Sequence, residues 1–209
     1  MECAIIDYKM SNLKSVMAAC DKAGLSAKIT SDVKEIDDSK FLLLPGVGAF
    51  GKAMNNLHKL KLDKAIHDFF ESGRKIVGIC LGMQLLFSNS EEFGHHSGLD
   101  IIKGDVKKFS FEKNATNKIK IPHIAWSQIN PVKSWVDTPL QNNLPYQYMY
   151  FIHSYYVVPK DDNVILSSTD YGNVTYPSSI NHKNVFATQF HPEKSGNNGI
   201  SIYSALKKY

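Results

Sequence analysis

Residues 75–82, Lys75-Ile76-Val77-Gly78-Ile79-Cys80-Leu81-Gly82, decide the fold. A short apolar run meets Gly-x-Cys-x-Gly, and Met83-Gln84-Leu85-Leu86 continues with helical character. Periodicity and flanking glycines predict a buried strand over 75–79 and a helix beginning at 81 and running to 88. A strand, a tight turn carrying a nucleophilic side chain, and a helix make the layout of a nucleophile elbow. The flanking glycines allow a sharp turn and close approach of other elements. The helix N-terminus then faces the thiol and favours the thiolate, and the Leu81 N–H is free to donate to a developing oxyanion. A buried structural thiol is the competing reading, since most free cysteines are core residues.

Upstream, strand and helix patterns alternate. Residues 3–7 read as a buried strand, Ser11 as a helix N-cap, and Leu13, Val16, Met17 and Cys20 as one helix face closed by Gly24. Residues 25–30 and 41–44 read as further strands, the latter ended by Pro45-Gly46-Val47-Gly48. Residues 49–72 are helical, in two pieces closed by Gly73. Such alternation predicts an α/β fold with a mostly parallel central sheet flanked by helices, and ligands bind such sheets at the C-terminal ends of the strands. Cys80 and the Pro45–Gly48 loop occupy such ends. The second half changes character: residues 101–111, 148–158, 164–169, 174–180 and 185–190 read as strands, many antiparallel, and 199–208 as a closing helix. No repeat or linker divides the chain, so residues 1–209 are expected to form one domain.

Composition removes several function classes. The 209 residues are 43% hydrophobic and 21% charged, ordinary for a soluble globular protein. No apolar stretch reaches the roughly 18 residues that span a bilayer, and the short acidic start does not read as a signal peptide. A cytoplasmic location without membrane association is therefore expected. The net charge of +4 is mild, and Arg74 is the only arginine among 24 basic residues, which argues against nucleic-acid binding. Three cysteines without CxxC spacing argue against a disulfide framework or zinc site. Cys3 and Cys20 fall on apolar faces and read as core. His95-His96 reads as a polar loop, so no metal and no cofactor are expected.

A thiol of ordinary pKa is only a few per cent ionised at neutral pH, so Cys80 needs a base. His191, in Gln189-Phe190-His191-Pro192-Glu193, is the best placed of eight histidines, just beyond the strand at 185–190. In an extended segment residues two apart point the same way, which brings the Glu193 carboxylate to the ring. A carboxylate there holds the imidazole in the tautomer a triad requires. The Pro45–Gly48 glycines bring backbone amides within reach of a ligand and suit a second oxyanion donor; an ordinary turn is the competing reading.

These segments carry a resemblance that runs nearly end to end. The chain resembles the class I, triad-type glutamine amidotransferases, and within them the glutaminase subunits of imidazole glycerol phosphate synthase. It does so through Ile6-Asp7-Tyr8 with Asn12-Leu13, Pro45-Gly46-Val47-Gly48-Ala49-Phe50, Gly78 to Phe87, Pro122-His123, His153-Ser154-Tyr155-Tyr156 and Gln189 to Ser195. The resemblance implies that Cys80 attacks the side-chain amide of glutamine, with His191 as base and Glu193 orienting it. It implies an oxyanion hole from the Val47 and Leu81 amides, the Val47 loop having to turn its amide inward. It implies glutamine contacts from Gly46, Gly48, Gln84, Glu92, Ser154 and Tyr155. It also implies passage of ammonia to a synthase or cyclase subunit of (β/α)8-barrel type in a heterodimer, with Asn12, His123 and Lys194 at the interface.

The chain departs from the pattern at Lys9 and Ser11, where the family usually has glycines, and at Ala125 and Ser127, where it usually has glycine and asparagine. Those segments lie near the expected partner, so they leave its identity open. One alternative is a paralogous subunit supplying ammonia for amidino-sugar formation in surface-polysaccharide or flagellar-glycan assembly. Another is a stand-alone cysteine γ-glutamyl hydrolase.

Overall fold

The computed structural model describes residues 2–111 and 119–208. The first half builds β1 (Cys3–Ile6), α1 (Leu13–Ala23), β2 (Ala27–Thr30), α2 (Val33–Asp37), β3 (Phe41–Gly46), α3 (Phe50–Lys59), α4 (Leu62–Glu71), β4 (Lys75–Cys80) and α5 (Leu81–Leu85). Then follow β5 (Phe87–Ser90), β6 (His96–Ser97), β7 (Ile102–Lys108), β8 (His123–Gln128), β9 (Asn130–Pro131), β10 (Tyr148–His153) and β11 (Tyr155–Pro159). β12 (Ile165–Tyr171), β13 (Val174–His182), β14 (Val185–Thr188) and α6 (Gly196–Ala205) complete the chain.

Eight strands form the central sheet in the order β2-β1-β3-β4-β14-β13-β12-β9. The first five run parallel, and β13, β12 and β9 extend the sheet antiparallel. The apolar runs of β1, β3 and β4 are continuous because both faces are covered, as in parallel sheets generally. Alternate side chains serve opposite cores. Ala4, Ile6, Leu42, Leu44 and Ile76 pack with α2 to α5, while Cys3, Ile5, Phe41, Leu43 and Val77 pack with α1 and α6. A four-stranded sheet, β11-β7-β5-β6, and a two-stranded ribbon of β8 and β10 lie beside the main sheet.

The sheet order places the chemistry. β3, β4 and β14 are neighbours and parallel, so Pro45–Gly48, Cys80 and the segment leading to His191 emerge side by side at their C-terminal ends. No helix among the described residues is long and apolar enough to cross a membrane.

Several boundaries differ from the sequence expectation. Asn12, not Ser11, is the N-cap position of α1, because the Ser11 hydroxyl donates to the Pro45 carbonyl at 2.8 Å. The helix expected to reach residue 88 stops at Leu85. The Leu85 and Leu86 carbonyls accept instead from the Leu99 and Ile102 N–H groups at 2.8 and 2.9 Å, and β5 begins. The strand expected over 148–158 is two, because the chain changes partner at Ser154, from β8 to β7. The closing helix begins at Gly196 and ends at Ala205. Short α2, capped by the Asp32 side chain on the Lys34 and Glu35 N–H groups, and strands β5, β6, β8 and β9 were not anticipated.

Gly82 fixes how tightly α5 meets the sheet. A Cβ there would collide with the Leu44 carbonyl oxygen of β3, a backbone atom that cannot step aside. Overpacking of this kind costs about 3 kcal/mol. Gly82→Ala is expected to lower the thermal unfolding midpoint by about 10 °C, or to prevent soluble folding, as read by scanning calorimetry.

Candidate active site

Cys80 closes β4 with φ 53° and ψ −110°, a left-handed backbone that an L-residue holds only under constraint. The strand–turn–helix with a strained nucleophile position is the geometry that the Gly-x-Cys-x-Gly pattern predicts. α5 is only five residues long, so the orientation of Cys80 owes more to the turn than to a long helix dipole. The thiol is buried, donates weakly to the Ile152 carbonyl at 3.9 Å and accepts from Gln189 Nε2 at 3.6 Å.

His191 and Glu193 meet beside it. His191 Nδ1 and Glu193 Oε1 lie 2.7 Å apart, with both side chains 3% exposed. They meet through a 3-10 turn over Pro192–Lys194, not through the extended segment expected from sequence. The Ser195 hydroxyl donates to the His191 carbonyl at 2.7 Å and accepts from the Tyr150 N–H at 3.0 Å, anchoring the turn. Burial opposes charge on the His191 ring, but the Cys80 thiolate and the Glu193 carboxylate outweigh it and raise its pKa above the ordinary imidazole range. Cys3 and Cys20 are core thiols, and burial pushes Cys20 up to about 12.

A cavity of about 420 Å³ opens over Cys80, the size of a small-molecule site. Val47, Gly48, Leu81, Gln84, Glu92 and the 152–155 segment line it. Glu92 is half-buried, accepts from the Phe50 N–H at 2.6 Å, and has its pKa raised by burial. Gln84 Nε2 is committed to the Tyr155 carbonyl at 2.9 Å and to Gln189 Oε1 at 3.0 Å, leaving its amide oxygen to accept from a ligand. The Ser154 carbonyl accepts from the Phe109 N–H at 3.0 Å. Gly46, expected among the glutamine contacts, does not line the cavity and lies instead in a narrow crevice with Asn12, His191 and Lys194. The Val47 N–H donates to the Met10 carbonyl at 2.8 Å and points away from Cys80. A hole needing that donor is therefore unassembled in this conformation.

Asn12 and Lys194 are exposed, with Lys194 Nζ 5.7 Å over the Tyr150 ring. His123, expected at a partner interface, is fully buried. It faces inward because β8 alternates, and its neighbours Ile124 and Trp126 take the outer face at 55% and 50% exposure. Its Nδ1 lies 3.0 Å from the Tyr176 hydroxyl and its Nε2 2.9 Å from the Ser127 hydroxyl. His153 Nε2 lies 3.2 Å from the same phenol. Gln189, two residues before His191, was missed as a site residue: it ties Gln84 to the Cys80 sulfur, and its presence in the His191 motif was the available signal. Among the described residues, no group of three or more His, Cys, Asp or Glu side chains is placed to hold a metal ion.

A cysteine on a strand–helix elbow, a paired histidine and carboxylate, and a parallel sheet extended by antiparallel strands define a class. The chain belongs to the class I glutamine amidotransferases: the family described as "Glutamine amidotransferase class-I" matches residues 4–204. The particular relatives are consistent. The imidazole glycerol phosphate synthase subunit HisH of Bacillus subtilis (strain 168) is 43% identical over 204 residues, covering 98% of this chain and 94% of that protein. The HisH subunit of Aquifex aeolicus (strain VF5) is 43% identical over 209 residues, covering 100% of this chain and 97% of that protein. Among solved structures, that of PurLQS from Thermotoga maritima superposes with a TM-score of 0.74 at 20% identity, covering 100% of this chain and 98% of that chain. The glutaminase domain of Trypanosoma brucei CTPS with bound acivicin gives 0.65 at 14% identity, covering 100% and 94%. At these identities the two structures show the shared fold.

Two buried histidines, His153 in the cavity wall and His123 across the Tyr176 hydroxyl from it, give the fold a pH dependence. Burial pushes His153 down to about 3 and His123 down to about 4, against 6.5 ordinarily. The unfolded chain therefore takes up protons first as pH falls below 6.5, and stability drops progressively toward pH 4, by a few kcal/mol. Denaturant midpoints at pH 7, 5.5 and 4 are expected to fall in that order, with a shallower slope in His153→Gln.

Proposed function

We propose that the chain hydrolyses glutamine to glutamate and ammonia as the glutaminase subunit of a two-component synthase. The observation that carries this reading is the paired His191 and Glu193 beside Cys80, under a cavity edged by the half-buried Glu92. Cys80 Sγ attacks the side-chain amide carbon and its proton passes to His191. His191 then gives that proton to the departing nitrogen, which leaves as ammonia, and a thioester remains. Water, deprotonated by His191, attacks the thioester carbon; the C–S bond breaks, glutamate leaves and the thiol is restored. Glu193 holds the ring throughout. The Leu81 N–H, joined by the Val47 N–H once that peptide turns over, stabilises the oxyanion. Glu92 and the Gln84 amide oxygen suit the substrate ammonium, and Gly48, Ser154 and Tyr155, which line the cavity, suit backbone contacts to its amino-acid end.

The outer face of the β8–β10 ribbon supports a protein partner. Ile124 stands opposite Ile152 and Trp126 opposite Tyr150, and Tyr148 at 53% exposure extends the apolar strip. Uncovered apolar faces of this kind mark interaction sites. The strip adjoins the nucleophile, since the Ile152 carbonyl is in contact with the Cys80 thiol. We read the occupant as the cyclase subunit of imidazole glycerol phosphate synthase, a (β/α)8 barrel in a heterodimer, and the location as the cytoplasm. The relatives named as HisH support this over amidino-sugar formation. The departures from the family pattern also have internal roles: Ser11 bonds the Pro45 carbonyl, Ser127 lies at His123, and Lys9 pairs with Asp7 at 2.7 Å.

Cys80→Ala is expected to abolish glutamate release while leaving the unfolding midpoint in place. Retained turnover in that variant would refute the proposed chemistry. Trp126→Ala, at a half-exposed position, is expected to weaken capture of the co-purifying synthase subunit by about 30-fold without loss of fold, as measured by titration calorimetry. Recovery of a sugar-modifying partner in that purification, in place of a histidine-pathway barrel, would favour the alternative pathway.

A further inference from the structure

Tyr8 is fully buried, yet its hydroxyl has no hydrogen-bond partner among the described residues. It lies against Gly46 so closely that a Cβ at that position would collide with it. The Ser11 hydroxyl is close enough to draw the phenol's pKa down, but its own proton goes to the Pro45 carbonyl at 2.8 Å and no hydrogen bond of acceptable geometry joins the two hydroxyls. Burial raises the phenol's pKa, so it keeps its proton and remains a donor.

A trans peptide is a rigid plate whose N–H and C=O point in opposite directions. With the Val47 N–H on the Met10 carbonyl at 2.8 Å, the Gly46 carbonyl points the other way, toward the side on which Gly46 pairs with Cys80. That side offers a developing oxyanion a carbonyl where it needs a donor. Turning the plate brings the Val47 N–H toward Cys80 and swings the Gly46 carbonyl to the edge held by Met10 and Ser11. There it faces the Met10 carbonyl, which cannot donate. A buried carbonyl left unpaired would drive the plate back.

We propose that the Tyr8 hydroxyl receives the Gly46 carbonyl when the peptide turns over, which makes Tyr8 a positioning residue for the oxyanion hole. The free hydroxyl of the resting state is the partner of the turned state. Gly46 serves both requirements: it permits the rotation, and its missing Cβ admits the phenol. This inference rests on the proposed glutamine hydrolysis.

The test uses the full chain together with its co-purified synthase subunit and compares wild type with Tyr8→Phe and with 4-fluorophenylalanine at position 8, which replaces the hydroxyl but cannot donate. Glutamate release at saturating glutamine is expected to fall about tenfold in both, with KM for glutamine within twofold, equivalent to the loss of one hydrogen bond in the turned state. Alkylation of Cys80 by iodoacetamide develops no oxyanion, so its rate is expected to stay at the wild-type value. An unchanged kcat in either folded variant overturns the proposal, as does an equal fall in kcat and alkylation rate, which would mean a displaced nucleophile. Wild-type glutamate release no greater than that of Cys80→Ala would instead overturn the hydrolysis on which the proposal depends.

Discussion

The strained backbone at Cys80 is the constraint on which the rest of the site depends. A non-glycine residue in the left-handed region carries a penalty of about 1–2 kcal/mol, and something must hold it there. Here the restraint is backbone packing. Gly82 sits against the Leu44 carbonyl of β3, and Gly78 on β4 sits against Ala187 on β14. Both neighbouring strands therefore press on the turn through glycines, and the sulfur is directed out of the sheet end with little freedom to retreat. β14 then delivers Gln189 and His191 on the other side, so the Cys80 thiol and the His191 ring are positioned by adjacent strands of one sheet.

The three thiols show how environment separates structure from chemistry. Cys3 and Cys20 lie in an apolar core cluster, where burial disfavours the thiolate. Cys80 is also buried but lines the cavity, and it meets an amide N–H from Gln189 and an imidazole paired with Glu193. Gln189 is itself tied to Gln84, and Gln84 to the Tyr155 carbonyl, so the sulfur is linked by side-chain amides to the wall of the substrate cavity. Displacement of that wall would be felt at the sulfur through three hydrogen bonds.

The parallel half was legible in the sequence because β1, β3 and β4 are buried on both faces and leave unbroken apolar runs. The site was legible as two short motifs, since Cys80 with its glycines and His191 with Glu193 each carry local chemistry. What stayed hidden depended on pairing. β5 reads Phe-Ser-Asn-Ser and β8 reads His-Ile-Ala-Trp-Ser-Gln, and neither announces a strand without its partner. His123 matched an interface segment, but the β8 alternation turned its ring inward toward Tyr176 and gave the outer face to Trp126. Tyr8 stood out only as part of Ile6-Asp7-Tyr8, with no role attached, because its relation to Gly46 exists only where β1 and β3 run side by side.

Two features of the resting site share a direction. The Val47 N–H is engaged with Met10, and the apolar face of the β8–β10 ribbon is uncovered. Ile152 belongs to both sides: its side chain is part of the ribbon face and its carbonyl is in contact with the Cys80 thiol. Ammonia released into water at neutral pH becomes ammonium and loses its nucleophilicity, so hydrolysis without a receiving subunit would be wasteful. On the proposed function, covering the ribbon changes the surroundings of the very residue that touches the sulfur, while Asn12 and Lys194 flank the crevice beneath Gly46 and Val47. A partner seated there would bear on the nucleophile and on the peptide that must turn, and the same contact that seals the exit for ammonia would favour assembly of the oxyanion hole.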